Sequence, residues 1–330
     1  MWLQSSCRSS KANHSTNRGE STIIFILRKI KRYFGHLQTE LKKSILFIIN
    51  PISGGKKKAG FPDLAKVHLN SDLFDFDFVY TEWPTHANDL AVDAVQNGKD
   101  IVVAVGGDGT INEIASVLEG TNVIMGIIPF GSGNGLARSL KISLNNIKAL
   151  KTINNFHHKK IDSAILNGRK FFNMAGIGFD AHISSKFSQL KSRGLQGYIK
   201  TALIEVSSYI PDNYSLVIDD IEYQREAFMI SIANSCQYGN NAYISPDALL
   251  DDALLDVCII KPFPLVQLPV LGYHLFNKSV HKSEYVEIIK GKDIRIIRHN
   301  EGVVHLDGEP LEMSKELRVS VKPLSLSVLN

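Results

Sequence analysis

The run Ile-Val-Val-Ala-Val at 101–105 leads at once into Gly106-Gly107-Asp108-Gly109-Thr110 and then Ile111-Asn112-Glu113-Ile114. No other stretch constrains the fold as tightly. Five apolar, mostly β-branched residues in a row suit a strand buried on both faces. The glycines that follow let the chain turn sharply and bring backbone close to a ligand. A helix starting there aims unpaired N–H groups and a partial positive charge outward, which suits an anion and phosphate above all. Asp108, in the middle of the turn, repels phosphate, so a cation or a water network is expected between the two.

The same grammar surrounds this element. Apolar runs at 45–49, 77–80 and 123–128 alternate with helical stretches at 62–69, 87–96 and 111–118. That alternation predicts a parallel sheet covered by helices on both faces, with ligands gathering where the strands end. Two more glycine-rich loops follow strands: Asn50-Pro51-Ile52-Ser53-Gly54-Gly55-Lys56 and Gly131-Ser132-Gly133-Asn134-Gly135. Neither has the spacing of a Walker A loop or a dinucleotide fold. Each alone is only a turn; three at the strand ends of one sheet predict one site. Lys56-Lys57-Lys58 reads as a solvated part of the first loop.

Beyond residue 160 the pattern changes to strands at 215–218, 228–233, 255–260, 285–289, 293–298 and 317–321, with helices near 198–207 and 264–276. The expected fold is therefore an α/β parallel-sheet nucleotide domain over 44–160 and a β-rich antiparallel sandwich domain over 161–330, with a cleft between them. Residues 1–43 read as a disordered stretch or an extension. Within 21–43, Arg28, Lys29, Lys31, Arg32, Lys42 and Lys43 lie among Ile, Leu and Phe. That is the composition of a basic amphipathic membrane-contact helix, although a solvated helix explains it more simply.

Composition narrows the function classes. A net charge of +4 suits ATP or an anionic bilayer and is too weak a basic balance for nucleic acid. Cys7, Cys236 and Cys258 form no CxxC pair, which reads as reduced thiols in a cytoplasmic protein. No apolar run approaches the roughly 20 residues of a membrane helix. His157-His158 has no ligand partner at an obvious spacing and reads as a solvated pair. In Leu306-Asp307-Gly308-Glu309 the Asp-Gly pair predicts a type I′ hairpin turn that presents two carboxylates, with His305 on the same strand face as Asp307.

Taken in order, NPISGG, GGDGTINE, PFGSGNGLAR, NMAGIGFDA, PDALLDDALLDV and HLDGEPL resemble the diacylglycerol kinase catalytic family, which includes bacterial soluble lipid kinases, sphingosine kinases and ceramide kinases. The resemblance runs from about Ser44 to the C-terminus. It implies a lipid kinase that uses ATP and Mg²⁺ and touches the membrane peripherally to reach a lipid substrate, diacylglycerol before sphingoid bases or ceramide. A homodimer is compatible with it.

For the nucleotide the resemblance implies Asn50, Ser53 and Thr81, the phosphate cradle Gly106, Gly107, Gly109 and Thr110, and Ser132 with Asn134. It places Asp108 in the Mg²⁺ network and Asp252 at a second, structural Mg²⁺. Asp307 becomes the general base with Glu309 beside it, and Asp180 stands where the lipid pocket begins. A carboxylate base suits this chemistry because a lipid hydroxyl holds its proton tightly.

The chain departs from the family pattern at Gly135, at His86 and at Ala253, which bears on the acceptor and on the structural metal. The competing readings are an NAD-type kinase with a soluble acceptor and a catalytically inactive lipid or nucleotide sensor.

Overall fold

The parallel half forms because each strand gives way to a loop that contains glycine or proline and each following helix has an apolar face to lay on the sheet. In chain order it contains β1 (Lys43–Ile49), α1 (Phe61–His68), β2 (Phe74–Tyr80), α2 (His86–Gln96), β3 (Ile101–Gly106), α3 (Asp108–Leu118) and β4 (Ile124–Pro129). The structure, a computed structural model, describes residues 42–55, 58–188 and 195–330. The expectations for 1–41, Lys56 and Lys57 lie outside the described residues.

The strands run parallel in the order β2-β1-β3-β4. Every residue of β3 is buried, as its unbroken apolar run requires. Phe47, Ile48, Ile114, Leu118 and Ile128 belong to the core between sheet and helices. Each such side chain contributes roughly 1.5–3 kcal/mol on burial.

After α4 (Gly135–Ser139) and α5 (Asn146–Asn155) the chain enters β5 (His158–Leu166), β6 (Arg169–Phe171) and β7 (Met174–Gly178). Next come α6 (Phe179–Ser188), α7 (Leu195–Glu205), β8 (Asp212–Ile218), β9 (Ile221–Ala227), β10 (Met229–Ala233), β11 (Gln237–Gly239) and β12 (Ala242–Tyr243). The remainder is β13 (Leu255–Ile260), α8 (Leu268–Phe276), β14 (Val286–Gly291), β15 (Asp293–Ile297), β16 (Gly302–Leu306), β17 (Glu309–Met313) and β18 (Glu316–Leu329).

A second sheet, β14-β13-β10-β7-β16-β17, is antiparallel throughout. Its inner face meets strands of the first sheet: Ile177, Ile230 and Val257 share a core with Leu216, Ile296 and Leu317. That is the expected sandwich.

The first sheet does not stop at residue 160. It continues from β4 to β18, β15, β8 and β9, and β5 pairs with β18. The final strand thus returns to the parallel half, where Val328 pairs with Met125. Residues from Lys43 to Asn330 form one compact unit. The change of pattern near 160 marks a change of topology within a shared sheet. Among the described residues no helix is long and apolar enough to cross a membrane.

Candidate active site

The loops after β1, β3 and β4 pack against each other because glycine leaves room for backbone to touch backbone. A Cβ added at Gly131 would lie 2.7 Å from Gly107 Cα, and one at Gly54 would lie 1.7 Å from the Phe130 carbonyl oxygen. Gly54 also has φ 63°, a conformation that costs a non-glycine residue energy. Asn50 joins its loop to the α3 start, donating from Nδ2 to Thr110 Oγ1 at 3.0 Å. Lys58, expected to be solvated, is instead 3% exposed, and its ammonium donates to the Ser53 carbonyl at 2.5 Å. It fastens the loop from beneath by giving the Ser53 carbonyl a partner. Thr81 closes β2 beside the end of β1, its N–H donating to Ile49 at 2.9 Å.

Asp108 ties the α3 start to the third loop. Its carboxylate accepts the backbone N–H of Asn134 at 2.9 Å and of Gly135 at 2.8 Å. Burial pushes the Asp108 carboxyl up to about 6, and the negative charge of Asp307 adds to the effect. Each Asp108 oxygen takes one of these bonds, so lone pairs remain for a proton or a cation.

Asp307 sits at the hairpin turn between β16 and β17. It has φ 49° and Gly308 φ 91°, both left-handed as a type I′ turn requires. Its carboxylate accepts four hydrogen bonds: from Asn112 Nδ2 at 2.7 Å, Phe172 N at 3.0 Å, Asn173 N at 2.8 Å and Met174 N at 3.0 Å. A carboxylate has about four lone-pair sites. The expected general base is therefore saturated: Asp307 clamps the β6–β7 connection to the hairpin and to α3. Burial raises its carboxyl above the usual range, and partial desolvation followed by Asp307's charge raises Glu309.

These carboxylates raise one another's proton affinity, a repulsion that a hard divalent cation relieves. Among the described residues no three acidic, His or Cys side chains form a ready-made cage. The set fits Mg²⁺ held by one or two carboxylates, with phosphate oxygens and water completing its shell. Asp252 does not fit its expected role. The Lys290 ammonium lies 3.4 Å from Asp252 and 3.1 Å from the buried Asp256, so a side-chain cation occupies the place expected for a structural Mg²⁺.

Lys290→Met is expected to cost about 2 kcal/mol, because Asp256 loses its charge partner. That corresponds to a Tm roughly 5 °C lower. EDTA should leave the wild-type Tm unchanged in a thermal melt, whereas a drop on chelation would show that a metal is needed there.

From Asp108 and Asp307 a cavity of about 560 Å³ runs between α6, α7 and α8. Its walls are apolar, including Phe179, Ile183, Phe228, Met229, Leu271 and Leu275. Near the carboxylates the lining includes Asp180, which forms an ion pair with His305 at 2.8 Å and accepts from Tyr198 at 3.2 Å and Ser231 at 3.2 Å. Burial opposes both charges, but each partner outweighs it: Asp180 falls below and His305 rises above its ordinary value. Gly176 makes space for the pair, since a Cβ there would lie 2.1 Å from His305 Nε2 and 2.4 Å from Asp180 Oδ2. Sequence placed Asp180 at the pocket but not its bond to His305.

The structure thus brings together Asn50, Ser53, Gly106, Gly107, Asp108, Gly109, Thr110, Ser132, Asn134, Asp307 and Glu309, keeps Thr81 at the end of β2 against Ile49, and sets Asp180 within the cavity. It leaves Asp252 at its ion pair and the His157-His158 pair exposed at the start of β5. Sequence reasoning missed Asn112, which holds Asp307. It also missed Glu113, half-buried on α3, whose carboxyl is raised by burial and by the charge of Glu309. Both lie in the GGDGTINE run, on the helix turn after the glycines, and that adjacency was the available signal.

The model of the diacylglycerol kinase catalytic domain matches residues 44–165. The model of the YegS C-terminal NAD kinase beta sandwich-like domain matches residues 173–330. A probable lipid kinase YegS-like protein of Klebsiella pneumoniae is 31% identical over 241 residues, 71% of this chain and 79% of that protein. One from Pseudomonas aeruginosa is 32% identical over 255 residues, covering 73% and 80%. The crystal structure of a putative diacylglycerol kinase from Bacillus anthracis superposes with a TM-score of 0.72 at 22% identity, over 88% of this chain and 97% of that one.

Proposed function

The chain belongs to the diacylglycerol kinase catalytic-domain family and is a lipid kinase, and on that premise we propose that it transfers the γ-phosphate of ATP to the free hydroxyl of diacylglycerol, giving phosphatidic acid. The observation that carries this reading is the apolar cavity whose lining includes Asp108 and Asp307 at the glycine-loop end. A cavity of that size and lining suits acyl chains, with the polar end of the lipid beside the loops.

In this reading the Gly106–Thr110 loop and the loops at Ser53 and Ser132–Gly133 hold the triphosphate through backbone N–H groups, while the N–H of Asn134 is given to Asp108. The lipid hydroxyl oxygen bonds to the γ-phosphorus as the bond to the β–γ bridging oxygen breaks, and ADP leaves. The hydroxyl proton passes to Asp108, which keeps open lone pairs and a pKa near the working range. Asp307 positions the hairpin and raises the proton affinity of Asp108 through its charge. Mg²⁺, which Glu309 beside Gly109 would hold together with the phosphates and water, would neutralise charge on the transferring group and leave the open Asp108 oxygens for the proton.

A neutral glycerolipid is favoured over a sphingoid base because Asp180 is already bonded to His305, Tyr198 and Ser231. An ammonium head group would have to displace His305 or be buried without a partner.

The test is transfer of label from γ-labelled ATP to diacylglycerol, ceramide and sphingosine in mixed micelles. Diacylglycerol is expected to give at least about tenfold higher kcat/KM than sphingosine, a difference of about 1.4 kcal/mol. Preferred labelling of sphingosine would overturn the assignment.

A further inference from the structure

The segment 262–277, Pro-Phe-Pro-Leu-Val-Gln-Leu-Pro-Val-Leu-Gly-Tyr-His-Leu-Phe-Asn, contains no Asp, Glu, Lys or Arg over sixteen residues. It builds α8 and the turn before it. One side of α8 is used: Leu268, Leu271 and Leu275 line the lipid cavity. The other side is apolar too, yet it faces solvent, with Val266 80% and Tyr273 63% exposed and Leu265 and Val270 open beside them. A helix that is apolar all round and packed on one side only leaves a surface that water covers at a cost.

α7 repeats the arrangement. Its residues Tyr198 and Ala202 line the cavity, while Ile204 is 61% exposed and Ile210, just beyond the helix, is 82% exposed.

Ile199, Leu203 and Phe276 belong to both sets: they line the cavity and are also exposed. The apolar lining therefore continues without a break onto the outer surface at the cavity rim. A second copy of the chain seated there would cover the route into the cavity. A bilayer would instead place its own lipid at the opening.

Basic residues flank the patch. Lys200 stands on α7 and Lys278 and Lys282 follow α8, all exposed. Nearby carboxylates are largely paired: Glu205 with His182, and Glu287 with Arg225 and Lys261. At nine residues α8 is about 14 Å long, less than half the roughly 30 Å hydrocarbon core, so it can lie in the interface but cannot span.

We propose that the outer faces of α7 and α8, from Ile204 and Ile210 to Val266 and Tyr273, form a membrane-docking surface that seats the cavity mouth on the bilayer. This rests on the lipid-kinase reading of the cavity. Apolar side chains supply the affinity and Tyr273 sits at the head-group level, where aromatic rings with a polar tip concentrate. The lysine rim adds attraction to anionic lipid.

The test pairs Ile204→Asp with Val266→Asp in the full chain, both at exposed positions clear of the cavity lining, and confirms an unchanged melt. Flotation with phosphatidylcholine–phosphatidylglycerol vesicles should fall at least tenfold. Turnover of diacylglycerol presented in those vesicles should fall by a similar factor, while turnover of monomeric short-chain diacylglycerol stays within twofold.

Vesicle binding equal to wild type, or an equal loss on the monomeric substrate, would overturn the proposal. So would sedimentation showing that wild type is a dimer which the substitutions dissociate. If wild type phosphorylates neither presentation, the substrate assignment fails; the flotation result still decides the docking surface.

Discussion

Asp108→Asn is expected to lower kcat/KM for lipid phosphorylation by about 10²–10⁴-fold, the usual worth of a positioned proton acceptor. The fold should survive, because the amide oxygen of the variant can still accept one of the two N–H groups that Asn134 and Gly135 donate. Asp307→Asn should behave differently. Asn at 307 turns an NH₂ toward the N–H donors of Phe172, Asn173 or Met174, so the hairpin loosens and turnover falls, by roughly tenfold to a hundredfold. It also removes the negative charge that helps hold the Asp108 carboxyl at about 6, so the pKa of Asp108 should move down. A role for Asp307 as the base predicts the opposite ranking, with Asp307→Asn the more damaging of the two. Steady-state kinetics of the two variants side by side decide between these orders.

Gly54→Ala is expected to weaken ATP binding by at least about tenfold. Its φ of 63° costs alanine roughly 1–2 kcal/mol. The new Cβ would stand 1.7 Å from the Phe130 carbonyl oxygen, and that atom is backbone of the neighbouring loop. Relief requires moving one loop off the other, which opens the cradle that Ser53, Gly107 and Gly131 share. Gly60→Ala is the control, since nothing lies within 4 Å of a Cβ there and its φ is −86°. Isothermal titration with ATP should separate them. If Gly54→Ala binds like wild type, the loop at 50–55 takes no part in holding the nucleotide.

What was legible in the sequence follows from how local each signal is. β3 and α3 announce themselves because burial on both faces writes an unbroken apolar run and the turn after it writes its own glycines. The hairpin at Asp307-Gly308 was legible for the same reason: its left-handed φ values select that pair of residues. The four donors around Asp307 were not legible. They come from Asn112 and from 172–174, about 195 and 135 positions away, and three are backbone N–H groups that any residue supplies.

The Lys290 cation was hidden similarly. Asp252 and Asp256 lie close together in sequence, but their partner arrives across the β13–β14 pairing, where Asp256 stands opposite Lys290. α6 was missed because GIGFDA reads as a glycine loop, although the helix starts at Phe179. The boundary near 160 marked a real change from parallel to antiparallel pairing. What it could not reveal was that β18 comes back to pair with β5 and β4, since a return over more than 150 residues leaves no trace in local periodicity.

The central claim is that Asp108 takes the hydroxyl proton while Asp307 holds the frame and tunes it. The most direct measurement is the pH dependence of kcat/KM for diacylglycerol, at saturating Mg²⁺·ATP, in wild type and Asp307→Asn. A base must be unprotonated to act, so activity should be full above its pKa and fall as pH drops through it. The account predicts an acid limb in wild type, displaced below the metal-free value of about 6 by the positive charge of the bound metal. In Asp307→Asn the limb should persist at a lower pH, with a reduced plateau. An acid limb that disappears in Asp307→Asn, with activity gone at every pH, would contradict it and return the proton to Asp307.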